Sequence, residues 1–488
     1  MPSSPQWVRA IAVWTATRRN GLALDAAVVV VVVLLAGLAY SWRWLELFPL
    51  IEFRQQANFH LSFGWLWDQV TLDGPNIWSV PFYFNSRVGE LCGTSVGCTN
   101  AFLIGINLVS AALLYALVRR LAPWRLLAAA VTAAWLIGLP VLDSVTWQAT
   151  NLDKLGALFV LVGVHIALSF YRRGYSLERC LVANGLLLCV VVLAHNCKPA
   201  AWVIVPAMLL LPVMGGGQGA WTWIRYLLAP ATYAVIQGTE VLRRINADAF
   251  YSDHVSSGDV PANLRSYLGY LSGSLTATTA SLVIAVVLVA VIVVGLVRRA
   301  THARAALWAL VIFGGALAVA ARAAYPSVFY MMVPSALLAV LTALVIVVAI
   351  ELAGRRWALL PIVLAAVLGA GYGWNIAESR QAYSALEGQS ANFRAALPAI
   401  ASKVPRADTK QLIMVMPAAN YLAYRFAPED VEQYIYGVKT EFDQRITRIT
   451  DAEYNARGLR AGEFAAIFDI DSRLVDVIRG PQASGAGG

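Results

Sequence analysis

The sequence predicts an all-α polytopic membrane protein with a small α/β domain appended at its C-terminus. Three observations carry that expectation. Of 488 residues, 59% are apolar and only 13% charged, about half the roughly 25% expected of a soluble chain. Mean hydropathy is +0.64. Apolar runs recur eleven times before residue 375, and the composition then changes abruptly. Disordered, collagen-like and small disulfide-stapled classes are excluded by the same figures. The net charge of +9 comes from 37 Lys+Arg against 28 Asp+Glu. In a soluble protein it would suggest nucleic acid; in a membrane chain its placement matters more than its sum, and no nucleic-acid partner is expected.

A spanning helix needs about 20 mostly apolar residues, because ~30 Å of hydrocarbon is crossed at ~1.5 Å per residue. The candidate spans are Leu24–Tyr40, Ala101–Val118, Leu126–Leu142, Leu155–Phe170, Leu181–Ala194, Trp202–Met214, Trp223–Thr239, Leu275–Val297, Ala305–Ala321, Val328–Ile350 and Leu359–Trp374. The fifth and sixth are short and closely spaced. The first follows Arg9, Arg18 and Arg19, and Gly37-Leu38-Ala39 offers small residues for cleavage. We expect an uncleaved anchor; a cleaved signal peptide leaves the remaining orientation unchanged.

Basic pairs set the orientation. Arg119/Arg120, Arg172/Arg173, Arg298/Arg299 and Arg355/Arg356 fall between spans 2–3, 4–5, 8–9 and 10–11. These loops share one side with the N-terminus, and the positive-inside rule makes that side cytoplasmic. Arg243/Arg244 breaks the pattern, in a longer external loop where the rule is weaker. Residues 1–374 then form a transmembrane domain with external loops over 41–100 and 240–274, and residues 375–488 form an extracytoplasmic domain. Within that domain Gln411–Pro417 and Phe464–Ile470 read as strands, Pro428–Gln444 as helix, and Ser484–Gly488 as a disordered tail. No helical repeat of the 34-residue kind is present.

Cys92 and Cys98, in CGTSVGC, lie in the first external loop. An oxidising compartment would favour a disulfide between them over two free thiols. Cys180, Cys189 and Cys197 read as small packing residues. The five histidines, His60, His165, His195, His254 and His302, have no partner at metal-ligand spacing.

Chemistry is concentrated in carboxylates at the outer surface. Glu46 and Glu52 occur in WLELFPLIEFRQQANFH after the first span; Asp143 and Asp153 occur in LPVLDSVTWQATNLDKL between spans 3 and 4. Charge this close to hydrocarbon is costly and has a partner or a job. A carboxylate there can act as general base toward an acceptor hydroxyl, or bind a divalent metal. The plainer readings are interfacial solvation and helix capping, with Asp153 capping span 4.

The order of these features resembles membrane glycosyltransferases of the GT-C type, which use polyprenyl-phosphate sugars and place an acid just after the first span. The pattern is most similar to the O-mannosyltransferases that carry tetratricopeptide repeats, and to their bacterial relatives. Glu52, Asn58 and Trp65 follow one another as in that family's first loop. Asp143, Trp147 and Asp153 take the positions of its HPxxxExVxW…DxL stretch. Lys198, in Asn196-Cys197-Lys198-Pro199, stands for a Lys-Glu pair, and Tyr330, Pro334 and Ser335, in VFYMMVPS, stand for RYxYxPS. The chain departs from the pattern at several points. Its first-loop acids are not contiguous, Leu139 replaces the His of HP, Phe329 replaces the Arg of RY, and the repeats are absent. Arg322 is the nearest substitute for that missing cation.

The resemblance covers spans 1 to 10. It implies inverting transfer of a sugar from polyprenyl phosphate to an envelope polysaccharide or lipopolysaccharide acceptor, at the periplasmic face of a bacterial inner membrane. Glu52 is then the first candidate base and Glu46 the second. Lys198, Arg54, Arg322 and Tyr330 are candidate contacts to the lipid phosphate, although Lys198 also reads as a snorkelling interfacial anchor. The GAWTWIRY stretch (Gly219–Tyr226) reads as an aromatic belt. Two other classes suit the helix count. A lipid-linked glycan transporter would carry two-fold repeats and midplane charges, and the sequence has neither. A non-catalytic envelope assembly subunit would use the external domain for docking.

Overall fold

Helices account for almost all of the membrane-domain residues that the computed structural model describes. These residues are 61–70, 78–92, 95–122, 124–144, 150–247, 259–272, 278–322 and 328–353, together with 21–39 at the start and 388–405, 409–417 and 446–481 near the end. In chain order the helices are α1 (Gly21–Ala39), α2 (Phe63–Val70), α3 (Ser79–Cys92), α4 (Val96–Leu121), α5 (Arg125–Leu136), α6 (Leu139–Ser144), α7 (Asn151–Tyr171) and α8 (Leu177–His195). A 3-10 segment, Pro199–Val203, leads into α9 (Ile204–Leu209), α10 (Leu211–Met214) and α11 (Ala220–Ile224). A second 3-10 turn, Arg225–Leu227, leads into α12 (Leu228–Ala247). Then come α13 (Val260–Ser272), α14 (Thr278–Val297) and α15 (Ala303–Ala320). A last 3-10 segment, Val328–Met331, opens α16 (Met332–Ala353).

Among the described residues five helices are long and apolar enough to cross a membrane: α4, α7, α8, α15 and α16. Shorter apolar helices occur within α1, α5, α14 and over Pro199–Leu209. The eleventh candidate span, Leu359–Trp374, lies outside the described residues. α16 is the central element, buried along nearly its whole length. On α14, by contrast, Val286, Val289, Val293 and Val297 are exposed. Such a valine surface is disfavoured in water and suited to lipid, which demands only that backbone groups be satisfied within the helix.

Four expected spans are not single α-helices: the third, the sixth, the seventh, which is interrupted by the 3-10 turn Arg225–Leu227, and the tenth, which opens in the 3-10 segment Val328–Met331. The third breaks at Ile137–Gly138 into α5 and α6, because Pro140 has no N–H to continue the ladder and instead suits the first turn of a new helix. The sixth, expected over Trp202–Met214, begins at the end of a 3-10 segment that Pro199 opens and continues as two short helices, the second with Pro212 in its first turn. It still traverses the bundle. Its beginning adjoins Lys198, which contacts Asp153 in the first turn of α7, and its end adjoins Gln218, whose N–H donates to the Tyr171 carbonyl at the far end of α7. The 3-10 segment rises ~2.0 Å per residue, so residues 199–214 cover about 26 Å. The seventh span also runs further than expected: α12 continues to Ala247, which places Glu240 and Arg243 on the helix as an ion pair at 2.7 Å.

Two of the basic pairs meet at one end of the bundle. Arg120 donates to the His165 carbonyl at 2.9 Å and to Ser169 Oγ at 3.0 Å, and Arg172 donates to the Arg120 carbonyl at 3.2 Å. The Arg304 guanidinium packs over Gly215, next to Gln218. At the same end Asp25 Oδ1 accepts from Tyr115 at 2.7 Å, Arg125 at 2.9 Å and Arg119 at 3.3 Å, tying α1 to α4 and α5. Arg355 and Arg356 lie outside the described residues.

The C-terminal domain contains a helix, α17, over 388–403, and a four-stranded sheet in the order β2-β1-β3-β4. Its strands are β1 (Gln411–Val415), β2 (Ile446–Ile449), β3 (Glu463–Phe468) and β4 (Leu474–Arg479), with α18 (Asp451–Arg457) after β2. β1 is parallel to β2 and β3, and β3 pairs antiparallel with β4. A parallel central strand is covered on both faces. Phe393 of α17 packs on Phe468 at 5.4 Å between ring centroids, and Ile413, Val415 and Ala465 pack toward Tyr454 and Leu459. α18 opens with a capping box: Thr450 accepts from the Glu453 N–H, and Glu453 returns to the Thr450 N–H. That backbone bond holds the Glu453 carboxyl below its ordinary value. The expected helix at Pro428–Gln444 and tail at Ser484–Gly488 lie outside the described residues.

Candidate functional site

At the bundle end away from the arginines, three helix-flanking segments meet. α7 begins at Asn151 and carries Asp153 in its first turn, where the helix dipole favours a carboxylate. α8 ends at His195, and the following Lys198 is extended, as the residue before Pro199 must be. Tyr330 sits in the 3-10 segment ahead of α16. Lys198 Nζ lies 3.2 Å from Asp153 Oδ2 and 3.9 Å from the centroid of the Tyr330 ring. The ammonium therefore has a carboxylate on one side and a π face on the other.

Close helix packing produces this meeting. Gly156 and Gly163 lie two turns apart on the face of α7 that receives the broken sixth segment. A Cβ on Gly163 would sit 2.4 Å from Ile204 Cδ1, and one on Gly156 would sit 3.2 Å from Ala201 Cβ. Small residues let the backbones approach, as in other membrane helix pairs. Ala201 so placed carries Lys198, three residues earlier, to Asp153.

The sequence offered Asp153 as a helix cap, and the structure corrects this. Asn151 starts the helix, and the Asp153 side chain bonds Lys198 rather than a backbone amide. Asp153 is only 1% exposed, while the Lys198 side chain is 17% exposed. Next to Asp153, Lys154 is 0% exposed, and among the described residues its Nζ has no hydrogen-bond partner. Asp153 Oδ1 and Asn151 Oδ1 are likewise buried without one. The site therefore holds one carboxylate and two lysine side chains, of which Lys198 alone is bonded to the carboxylate.

α3 forms a roof over this region. Asn151 Nδ2 donates to Asn85 Oδ1 at 2.5 Å, and the Val80 N–H donates to the Asn196 carbonyl at 3.2 Å. Ser86 Oγ accepts from the Leu61 N–H at 3.2 Å, and Arg87 donates to the Leu61 carbonyl. Cys92, the last residue of α3, is disulfide-bonded to Cys98 in the first turn of α4. The bridge ties the roof to the bundle. In membrane vesicles, a thiol reagent that cannot cross the bilayer should label neither cysteine until the protein is reduced. Ready labelling of both without reductant would show that packing alone holds the roof.

The remaining candidates are placed as follows. Glu46, Glu52 and Arg54 lie outside the described residues, as do Asn58 and Trp147. Asp143 falls in α6, with its side chain outside the description. Arg322 is exposed just beyond the end of α15, and among the described residues nothing joins it to Asp153, Lys154 or Lys198. Cys180 and Cys197 are buried, as packing residues should be, whereas Cys189 is exposed. Among the described residues no three His, Cys, Asp or Glu side chains converge as metal ligands. Asp153 is bonded to the Lys198 ammonium, and a cationic neighbour does not fit a divalent cation.

Sequence reasoning passed over Lys154, Asn85 and Asn151. One signal was available: Asn151 and Lys154 are three residues apart, hence on one face, at the head of an apolar helix. A lysine in that position normally snorkels to the surface, and burial is what distinguishes this one. Comparison of the chain with protein-family models, with curated proteins and with solved structures returns no match.

Proposed function

We propose that the protein is a GT-C-type membrane glycosyltransferase. It moves a sugar from a polyprenyl-phosphate donor to an envelope polysaccharide or lipopolysaccharide acceptor at the outer face of a bacterial inner membrane. The observation that carries this reading is the Asp153–Lys198–Tyr330 cluster, with Asp153 buried, at the end of the bundle away from Arg120 and Arg172 and beneath α3. Membrane proteins retain buried charge at a helix end where it serves substrate, because burial is costly. The disulfide supports the orientation independently of the arginines, since it lies at the same end as the cluster and disulfides persist in oxidising compartments.

In this reading the acceptor hydroxyl oxygen attacks the anomeric carbon as the bond from that carbon to the phosphate oxygen breaks. A carboxylate takes the hydroxyl proton; Glu52 is the first candidate and Glu46 the second. The phosphate leaves with the bonding electron pair, and a fixed cation, Lys198, holds its charge. Arg54 and Arg322 are further candidates for the phosphate, and Tyr330 orients Lys198. Eleven spans put the N-terminus inside and the C-terminal domain outside, where it has access to the acceptor.

The test is direct. Purified full-length protein in lipid nanodiscs should transfer labelled sugar from a polyprenyl-phosphate donor to envelope glycan. Transfer from a nucleotide sugar without the lipid, or no transfer from any lipid donor in a panel of sugars, would overturn the reading.

A further inference from the structure

An apolar recess runs along the surface of the bundle between α9 and the segment that joins α11 to α12. It encloses about 300 Å³, with Leu209 of α9 on one wall and Ile224, Leu228, Val235 and Ile236 along the other. Ala231 and Thr232 also line it, and being smaller than these neighbours they leave the space between. Leu209, Ile224, Leu228, Val235 and Ile236 are all exposed. From 224 to 236 the segment rises about 20 Å, at ~1.5 Å per α residue and ~2.0 Å in the 3-10 turn. One leaflet of a ~30 Å hydrocarbon core is slightly shorter. The recess has the length and lining of a seat for one hydrocarbon chain.

One end of the recess carries a cation. Arg225 stands in the chain between Ile224 and Leu227, both of which line the recess. It opens the 3-10 turn Arg225–Leu227, where side chains three apart eclipse, so its side chain falls in line with that of Leu228. The Arg225 carbonyl accepts from Asn184 Nδ2 at 2.8 Å and from Cys180 Sγ at 3.2 Å, which fixes the backbone against α8. Its exposed guanidinium lies 5.8 Å from the centroid of the Tyr175 ring. Among the described residues no acceptor takes its N–H groups and no carboxylate pairs with it; Glu178, in the first turn of α8, is exposed and bonded to neither Arg225 nor Arg179. This is the end of the bundle at which Arg120 and Arg172 meet, since Gln218, just before α11, donates to the Arg173 carbonyl at 2.7 Å. Trp221, exposed on α11, stands at the same end, where an aromatic belt is expected.

We propose that this recess binds an anionic phospholipid, with one acyl chain lying along α12 and the phosphate on Arg225. Charge complementarity decides the occupant. A guanidinium fork with free donors matches a phosphate, and the apolar walls match the chain. The apolar helix of a second copy would fill the recess and leave Arg225 without an anion. The donor phosphate of the proposed reaction belongs at Lys198, at the other end of the bundle, so the two lipid sites are separate. The inference does not rest on the proposed function, and it holds equally for a transporter or an assembly subunit.

The experiment measures binding and needs no turnover. Full-length protein in detergent micelles is titrated with dioleoyl phosphatidylglycerol, with dioleoyl phosphatidylcholine and with glycerol 3-phosphate, and native mass spectrometry counts the bound molecules. Phosphatidylglycerol should bind about tenfold more tightly than phosphatidylcholine, whose own cation offsets its phosphate. Arg225→Gln should abolish that preference. Arg179→Gln should leave it unchanged, because Arg179 is exposed nearby but bonded to the Gly174 carbonyl. Ala231→Phe and Thr232→Phe, which fill the recess, should each weaken both lipids by about fivefold or more. Glycerol 3-phosphate, which has no chain, should not compete. Equal affinity of the wild-type protein for the two lipids overturns the proposal, and so does an Arg225→Gln protein that keeps the preference. Equal losses in Arg225→Gln and Arg179→Gln overturn it in favour of diffuse surface charge. Recess-filling variants that remain folded and bind as wild type remove the chain from the recess. Competition by glycerol 3-phosphate makes the site one for a free anion, and a doubled mass that the filling variants abolish makes it an interface between copies; either result overturns the phospholipid.

Discussion

Asp153→Asn should be the most destabilising conservative substitution in the outer half of the bundle, at about 3–5 kcal/mol, the usual cost of breaking a buried ion pair by removing one partner. The carboxylate is 1% exposed, with Lys198 on one oxygen and Lys154 alongside. Neutralising it leaves the Lys198 ammonium without its carboxylate. Lys198→Met should cost much less, because Lys198 is partly exposed. Lys154→Met should cost nothing or stabilise, since it removes a buried donor that bonds no acceptor among the described residues. Thermal unfolding of the three variants in one detergent gives the order. A Lys154→Met protein that melts as early as Asp153→Asn would make Lys154 a structural counterion. An Asp153→Asn protein that melts with the wild type would remove the ion pair from the account of the fold.

Composition and hydropathy were enough to recognise a helical membrane chain and its small C-terminal sheet, because burial in lipid and burial in a strand core leave different sequence periods. They were insufficient where prolines decide. The sixth segment has span-like composition, but Pro199 opens a 3-10 segment and Pro212 the second of two short helices, and hydropathy is blind to that. A window average also missed that the third span stops at Gly138 and restarts at Pro140. The two inner strands, β1 and β3, were legible from QLIMVMP and FAAIFDI, because central strands read as continuous apolar runs, whereas the edge strands β2 and β4 were missed.

The site was legible in part, and for a physical reason. A carboxylate at the head of an apolar helix is visible in sequence, so Asp153 was found. Its partner is 45 positions away and arrives only through the Gly156–Ala201 contact, so the pairing with Lys198 followed from no local pattern. Tyr330 entered through resemblance, and the structure sets its ring against the Lys198 ammonium, an aromatic face on a cation. Lys154 could not have been singled out without burial, since a lysine beside an aspartate reads as a surface pair. Arg322 shows the converse, because proximity to the expected motif in sequence did not bring its exposed side chain to the cluster.

Glu52→Gln should lower the rate of sugar transfer by ~10²–10⁴-fold, the usual contribution of a positioned general base, with donor affinity unchanged. In the proposed reaction the labour divides between donor and acceptor. Phosphate is a competent leaving group once its charge is held, so the cationic half of the site serves the donor and affects binding. The acceptor hydroxyl is a poor nucleophile until its proton is taken, so the acid serves the acceptor and affects turnover. Lys198→Ala should accordingly raise the donor KM and weaken binding of undecaprenyl monophosphate, whereas Glu52→Gln should leave that binding intact and depress kcat. Glu52 follows the first span closely and precedes α3 in the same segment, and α3 bonds to Asn151 and Asn196 beside the Asp153–Lys198 pair. Steady-state transfer measured against both substrates, together with a binding titration on the same preparations, separates the two effects. A Glu52→Gln protein that transfers at the wild-type rate would move the base to Glu46, and then to Asp143. One that loses donor binding together with turnover would place Glu52 in the lipid site and leave the acceptor base to another acid.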